Sequence, residues 1–170
     1  MTTPTQSLRL RLDRLAAWYG RAVRVLDAAQ PLAAVLARGY VAQVFFLSGL
    51  TKLRDWDITL ALFEDEYKVP LLSPAWAAAM GAGGELVLPV LLVLGLAGRF
   101  ASLGLFVVNA VAVISLMEIA PAALQQHMLW GTLLAALAIY GGGKWAMDHW
   151  LAQHWAKLSA RLNGTHNTQA

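Results

Sequence analysis

The sequence predicts an all-α membrane protein: a four-transmembrane-helix bundle with N- and C-termini cytoplasmic and interfacial amphipathic helices at both ends. Three observations predict it. Hydrophobic residues make up 58% of the chain and charged residues only 14%, against about 25% charged in soluble domains. The charges gather at 8–27, 52–68 and 144–161, leaving long apolar runs between them. Four of those runs approach the roughly 20 residues that cross about 30 Å of hydrocarbon. A length of 170 residues suits one compact unit.

Residues 1–31 form the first element. Leu8, Leu12, Leu15, Tyr19, Ala22 and Leu26 recur at helical spacing, and Arg11, Arg14, Arg21 and Arg24 take much of the remaining surface. A basic amphipathic helix of this kind lies on an anionic leaflet or docks a partner. Gln30-Pro31 marks its expected end, since proline disfavours helix in the residue before it. No signal-peptide pattern is expected, because the first apolar run starts only near Leu32.

The spans are predicted at 32–53, 75–97, 100–119 and 124–143, a transmembrane domain of residues 32–143. Backbone groups in lipid must pair within their own segment, so these are helices. Gly98 and Arg99 join the second and third as a tight antiparallel hairpin. The long connection 55–74 holds apolar Ile58–Phe63 and charged Glu64–Lys68, a short helix over the outer mouth, with Ser73 placed to cap the second span. Residues 144–170 form the last element. Met147, Leu151, Trp155, Leu158 and Leu162 make an apolar stripe, and the tail after Asn163 is polar and expected to be disordered.

Charge sets the orientation. Four spans put both termini and Arg99 on one side, with Arg9, Arg11, Arg14, Arg21, Arg24, Arg38, Lys144, Lys157 and Arg161. The other side has Lys52, Arg54 and Lys68, so the termini are expected in the cytoplasm. Trp56, Trp76 and Trp130 fall at outer span ends, and Trp18, Trp145, Trp150 and Trp155 on the inner side, as headgroup-seeking rings should. The net charge of +3 therefore reads as topology. No glycine-rich basic loop or aromatic RNA-binding signature accompanies it, so nucleic acid is not an expected partner. Membrane lipids are, together with a protein partner or a second copy. Cysteine is absent, which excludes disulfides, cysteine-ligated metals and thiol redox chemistry within the chain.

The order of short motifs resembles the DoxX family of small bacterial inner-membrane proteins. The first span opens Arg38-Gly39 and closes Phe46-Leu47-Ser48-Gly49-Leu50-Thr51-Lys52-Leu53. The outer connection ends Tyr67-Lys68-Val69-Pro70, the second span carries Glu85, and Gly95-Leu96-x-x-Arg99 follows. The fourth span exits through Gly141-Gly142-Gly143-Lys144 toward Asp148. The family often has a serine near 145–147, where this chain has Trp145, Ala146 and Met147. The resemblance covers roughly 35–151. It implies a multi-pass protein of the bacterial inner membrane, and it implies quinone-linked redox work, since members resemble the small subunit of an archaeal thiosulfate:quinone oxidoreductase. Quinone is the one cofactor it suggests. Other members accompany oxidative-stress complexes or operons for modified, metal-responsive peptides, so a non-catalytic adaptor stays open, as does an oligomeric small-solute permease.

Glu85 is the most informative residue. It lies about 15 Å into its span, where a charge costs about 2.5–3.5 kcal/mol on insertion scales. It must be neutral, paired or wet, as a proton carrier, a quinone hydrogen-bonding group or one half of a structural ion pair. Lys52 either snorkels to the surface, its ordinary behaviour, or reaches inward to Glu85, with Ser48 one turn deeper on its face. Asn109, midway along the third span, suits a hydrogen bond between helices. His127 suits proton exchange with a quinol or an ordinary position at a helix start. Lys52, Ser48, Asn109 and Glu85 are thus the candidate ligand contacts, with Glu85 and His127 the candidates for proton exchange. Arg38, Arg99 and Asp148 are structural and topological candidates; with the span beginning at Leu32, Arg38 lies within the helix and needs a partner, for which Asp148 is a candidate. No metal site is expected: His149 and His154 do not share a helix face.

Overall fold

A computed structural model describes residues 4–143 and 145–166. Six helices follow one another: α1 (Pro4–Arg54), α2 (Trp56–Asp65), α3 (Pro74–Leu94), α4 (Gly98–Ser115), α5 (Pro121–Tyr140) and α6 (Met147–His166). No strand occurs among the described residues. Helices α1, α3, α4 and α5 are long and apolar enough to cross a membrane, and the last three lie within four residues of the expected spans.

The four spanning helices close into a ring, α1 on α3, α3 on α4, α4 on α5 and α5 back on α1. Val41 and Phe45, Leu92, Leu105, and Leu134 and Leu137 interdigitate at its centre. Val87, Leu103 and Ile139 point outward and are more than half exposed. Such a surface suits lipid, in which apolar side chains need no burial.

The helix end expected at Gln30-Pro31 is absent: α1 runs through Pro31 as one helix of 51 residues. A proline in a helix removes one hydrogen bond, and its effect on the preceding residue is a bias. Ala28, Ala29, Ala33 and Ala34 around it are strong helix formers, and Pro31 is buried. At 1.5 Å per residue α1 is about 76 Å long, more than twice the hydrocarbon thickness. The N-terminal amphipathic segment is thus the first half of a spanning helix. At the other end, the expected stripe helix is α6, in which Trp150 and Trp155 are exposed. Lys144 and residues 167–170 of the polar tail lie outside the described residues.

The hairpin between the second and third spans turns at 95–97 instead of Gly98-Arg99. Gly95 adopts the left-handed conformation with φ 69° and ends α3, and the Leu96 amide donates to Leu91 O at 3.0 Å. Ala97 is also left-handed, with φ 47°. Asp148 braces this turn: its carboxylate accepts from the Ala97 and Gly98 amides at 2.9 and 2.8 Å, and its own amide donates to Gly95 O at 3.0 Å.

On the opposite side, α1 stops well short of the start of α3, and α2 with the loop 66–73 fills the missing height. Asp55 caps α2 by accepting from the Ile58 amide at 3.0 Å. Phe63 packs on Ala77 and Ala78 of α3. The Lys68 amide donates to Ser115 O at 2.8 Å, tying the loop to the end of α4. Ser73 sits at the cap position of α3 without a side-chain hydrogen bond, and Pro74 begins the helix.

Candidate functional site

Lys52 does not snorkel. Its Nζ lies 2.6 Å from Glu85 Oε2 and donates to Ser48 Oγ at 3.0 Å. Two local features allow this. Glu85 is eleven residues beyond Pro74, so roughly 16 Å along α3, and the early end of α1 brings Lys52 to that depth. Gly49 then lets α1 close on α3: a methyl group there would fall 2.9 Å from Leu86 Cγ and 3.1 Å from Glu85 Cβ. Glu85 is buried at 7% exposure, and a lysine partner offsets the cost of its charge at this depth.

The pair lines a cavity of ≈ 400 Å³ between α3, α4 and the loop after α2. Met80, Val107, Val111 and Ile114 wall it with apolar surface, and Tyr67 and Ser115 also line it. Tyr67 stacks on Phe63 with ring centroids 4.9 Å apart. Burial raises the Tyr67 phenol above its usual pKa, and the negative charges of Glu85 and Glu66 add to the rise. Tyr67 escapes a reading of the sequence because a loop tyrosine carries no depth signal; its place in Tyr67-Lys68-Val69-Pro70 is the one pointer to it.

Among the described residues, the enclosed side-chain nitrogens and oxygens without a hydrogen-bond partner are Nε and Nη1 of Arg38. Glu85 Oε1 has no partner either, since Lys52 meets Oε2. It is not one of those enclosed atoms, so it keeps some exposure, and Glu85 lines the cavity.

Asn109 and His127 form a separate pair on the other side of α4. Asn109 Nδ2 donates to His127 O at 3.0 Å, and Asn109 Oδ1 stands 2.8 Å from His127 Nδ1. A carbonyl can only accept, so the amide orientation is set and Oδ1 must accept from a protonated Nδ1. Nε2 then carries the lone pair of the neutral ring. Gly131 makes room for this contact, a methyl group there falling 3.2 Å from Asn109 Nδ2. His127 also meets the Trp130 ring edge-on at 5.0 Å. The two polar pairs share neither a hydrogen bond nor a cavity, so the residues singled out in the sequence divide into Ser48–Lys52–Glu85 and Asn109–His127.

Arg38 is buried at 2% exposure and does not pair with Asp148, whose carboxylate holds the start of α4. Its guanidinium lies against Gly95, Gly142 and Ala146: methyl groups added at Gly95 and Gly142 would fall 2.5 and 3.3 Å from Nη1. The C-terminal ends of α3 and α5 meet there, and their partial negative charge favours a cation. Arg99 is exposed and lies beside Gly141. No group of three or more His, Asp or Glu side chains among the described residues is placed to hold a metal ion.

Known proteins bear on this arrangement through one comparison. The family model described as DoxX matches residues 33–118, just over half of the chain, and takes in Arg38, Ser48, Gly49, Lys52, Tyr67, Glu85 and Asn109. His127 and Asp148 lie beyond the match. No curated protein and no solved structure matches the chain. With four membrane-crossing helices and that match, this small integral membrane protein belongs to the DoxX family.

Proposed function

We propose that the protein is a small component of a quinone-linked membrane redox system, and that a quinone-type ring enters the cavity beside Lys52 and Glu85. The observation that carries this reading is an ion pair with one open carboxylate oxygen, lining an apolar cavity ≈ 400 Å³ in volume. Ligand sites of this kind combine apolar walls with a few convergent polar groups. Val107, Val111 and Ile114 would pack the ring. Two of the three Lys52 Nζ protons are committed to Ser48 and Glu85, which leaves one for a ring oxygen. A bound quinone would supply two-electron, two-proton carrier chemistry. The chain's own part is to orient the ring, exclude water and hold a proton donor and acceptor at its edge.

The orientation belongs to the same proposal: termini in the cytoplasm of a bacterium and the cavity in the outer half of the inner membrane, from the arginine distribution. Reporter fusions at either terminus check it. The test of function is quinone retention. Protein purified from native membranes is extracted, and its lipids and quinones are identified by mass spectrometry. Wild-type protein is expected to retain quinone and Glu85→Gln to retain less. Wild-type protein that never retains quinone overturns the reading.

A second reading, a non-catalytic adaptor, is supported by the apolar side chains that α1 and α6 leave exposed, Trp18, Trp150 and Trp155 among them. It expects a partner that co-purifies equally well with wild type and Glu85→Gln.

A further inference from the structure

Glu85 splits its two oxygens between two tasks. Oε2 is taken by Lys52 at 2.6 Å. Oε1 is unpartnered and open, in a cavity whose remaining wall is mostly apolar. An open carboxylate oxygen accepts hydrogen bonds and cannot donate them. Any ligand that fills the cavity expels the water that solvates Oε1. A ligand with a hydroxyl at its polar end replaces that water with a hydrogen bond. A ligand with only a carbonyl there accepts the spare Lys52 proton but leaves Oε1 dry and unpaired.

We infer that the cavity is selective for the reduced, hydroxyl-bearing form of its ligand, with Glu85 Oε1 the specificity-determining acceptor. This rests on the quinone reading and names which redox form the site holds. A site built to bond a hydroxyl rejects an analogue that lacks it, because its buried polar group is stranded. One stranded carboxylate oxygen sets a preference of about tenfold or more. Tyr67, also in the lining, both donates and accepts through its hydroxyl, so it does not distinguish the two forms.

The experiment uses full-length protein in lipid nanodiscs and three probes: a decyl-chain benzoquinone, its hydroquinone, and the dimethyl ether of that hydroquinone. Affinity is read by quenching of tryptophan fluorescence. The hydroquinone is expected to bind at least about tenfold more tightly than the quinone, and the ether no more tightly than the quinone. Glu85→Gln is expected to shrink the preference below about threefold, since the amide both donates and accepts. Tyr67→Phe is expected to leave the preference unchanged. Equal binding of quinone and hydroquinone to the wild type overturns the selectivity and leaves the quinone site standing. Binding of none of the three overturns both. An ether that binds as tightly as the hydroquinone overturns the role of the hydroxyl, and this outcome needs no variant to fold. Loss of the preference in Tyr67→Phe moves it away from Glu85.

Discussion

Lys52, two residues from the end of α1, meets Glu85, eleven residues into α3, at 2.6 Å. The contact requires α1 to end within the depth of the bundle, and it explains why α2 and the following loop are there: they close the space that α1 leaves above the pair. One consequence concerns stability. Lys52→Met alone leaves a carboxylate unpaired among apolar side chains, and Glu85→Leu alone leaves an ammonium. Removing one partner of a fully buried pair costs about 3–5 kcal/mol, while replacing both is often neutral. The pair keeps side-chain exposures of 16% and 9%, so about 2–3 kcal/mol is expected for each single change. The double variant is expected to be more stable than either single one. Unfolding in mixed micelles, arranged as a double-mutant cycle, measures this.

Asn109→Leu removes both hydrogen bonds that Asn109 makes from α4 to His127 on α5. Hydrogen bonds between membrane helices contribute about 0.6–1.7 kcal/mol, so a loss of about 1–2 kcal/mol is expected. The sharper readout is the imidazole. In the wild type the neutral His127 ring carries its proton on Nδ1, and nitrogen NMR of labelled histidine is expected to show that tautomer. In Asn109→Leu the signal is expected to shift toward the Nε2 tautomer. A wild-type ring already protonated on Nε2 contradicts the assignment.

Gly95→Ala is expected to destabilise the protein by about 2 kcal/mol or more, because a left-handed non-glycine residue costs about 1–2 kcal/mol and the new methyl group meets Arg38 Nη1 and the Ala146 backbone. Gly104→Ala is a control: its methyl group meets the flexible end of Leu88, and a smaller loss is expected. Asp148→Ala, which strands the Ala97 and Gly98 amides, is expected to cost about 1–2 kcal/mol, the range for a lost helix cap. Thermal unfolding in detergent ranks the three.

Tyr67 makes stability depend on alkaline pH. Burial, with Glu85 and Glu66 behind it, raises the phenol above its unfolded value. The folded protein therefore holds this proton where the unfolded chain has begun to lose it. The contribution is present in full below the unfolded pKa, about 10, and is lost as pH rises through the raised folded value. Wild type is expected to lose stability more steeply above pH about 10 than Tyr67→Phe.

The residues themselves determined the fold class. Long apolar runs leave the backbone no partner but itself in lipid, so the four spans, the hairpin and the short outer helix were all legible. Legible too was that Glu85 needs a partner or water, since a lone carboxylate deep in a span needs an explanation wherever the neighbouring helices lie. Tertiary structure decided the rest. Pro31 reads as a stop, yet the helix continues, because a local bias yields to favourable residues on both sides. Lys52 reads as a snorkelling lysine, yet its depth depends on where α1 ends relative to α3. Arg38 and Asp148 read as partners, yet Asp148 is needed at the start of α4 and Arg38 settles among glycines at two helix ends. Glu85 and His127 read as one site, yet α4 stands between them. Periodicity reports which face of a helix is apolar; only the packing of one helix against another sets which polar groups on those faces meet.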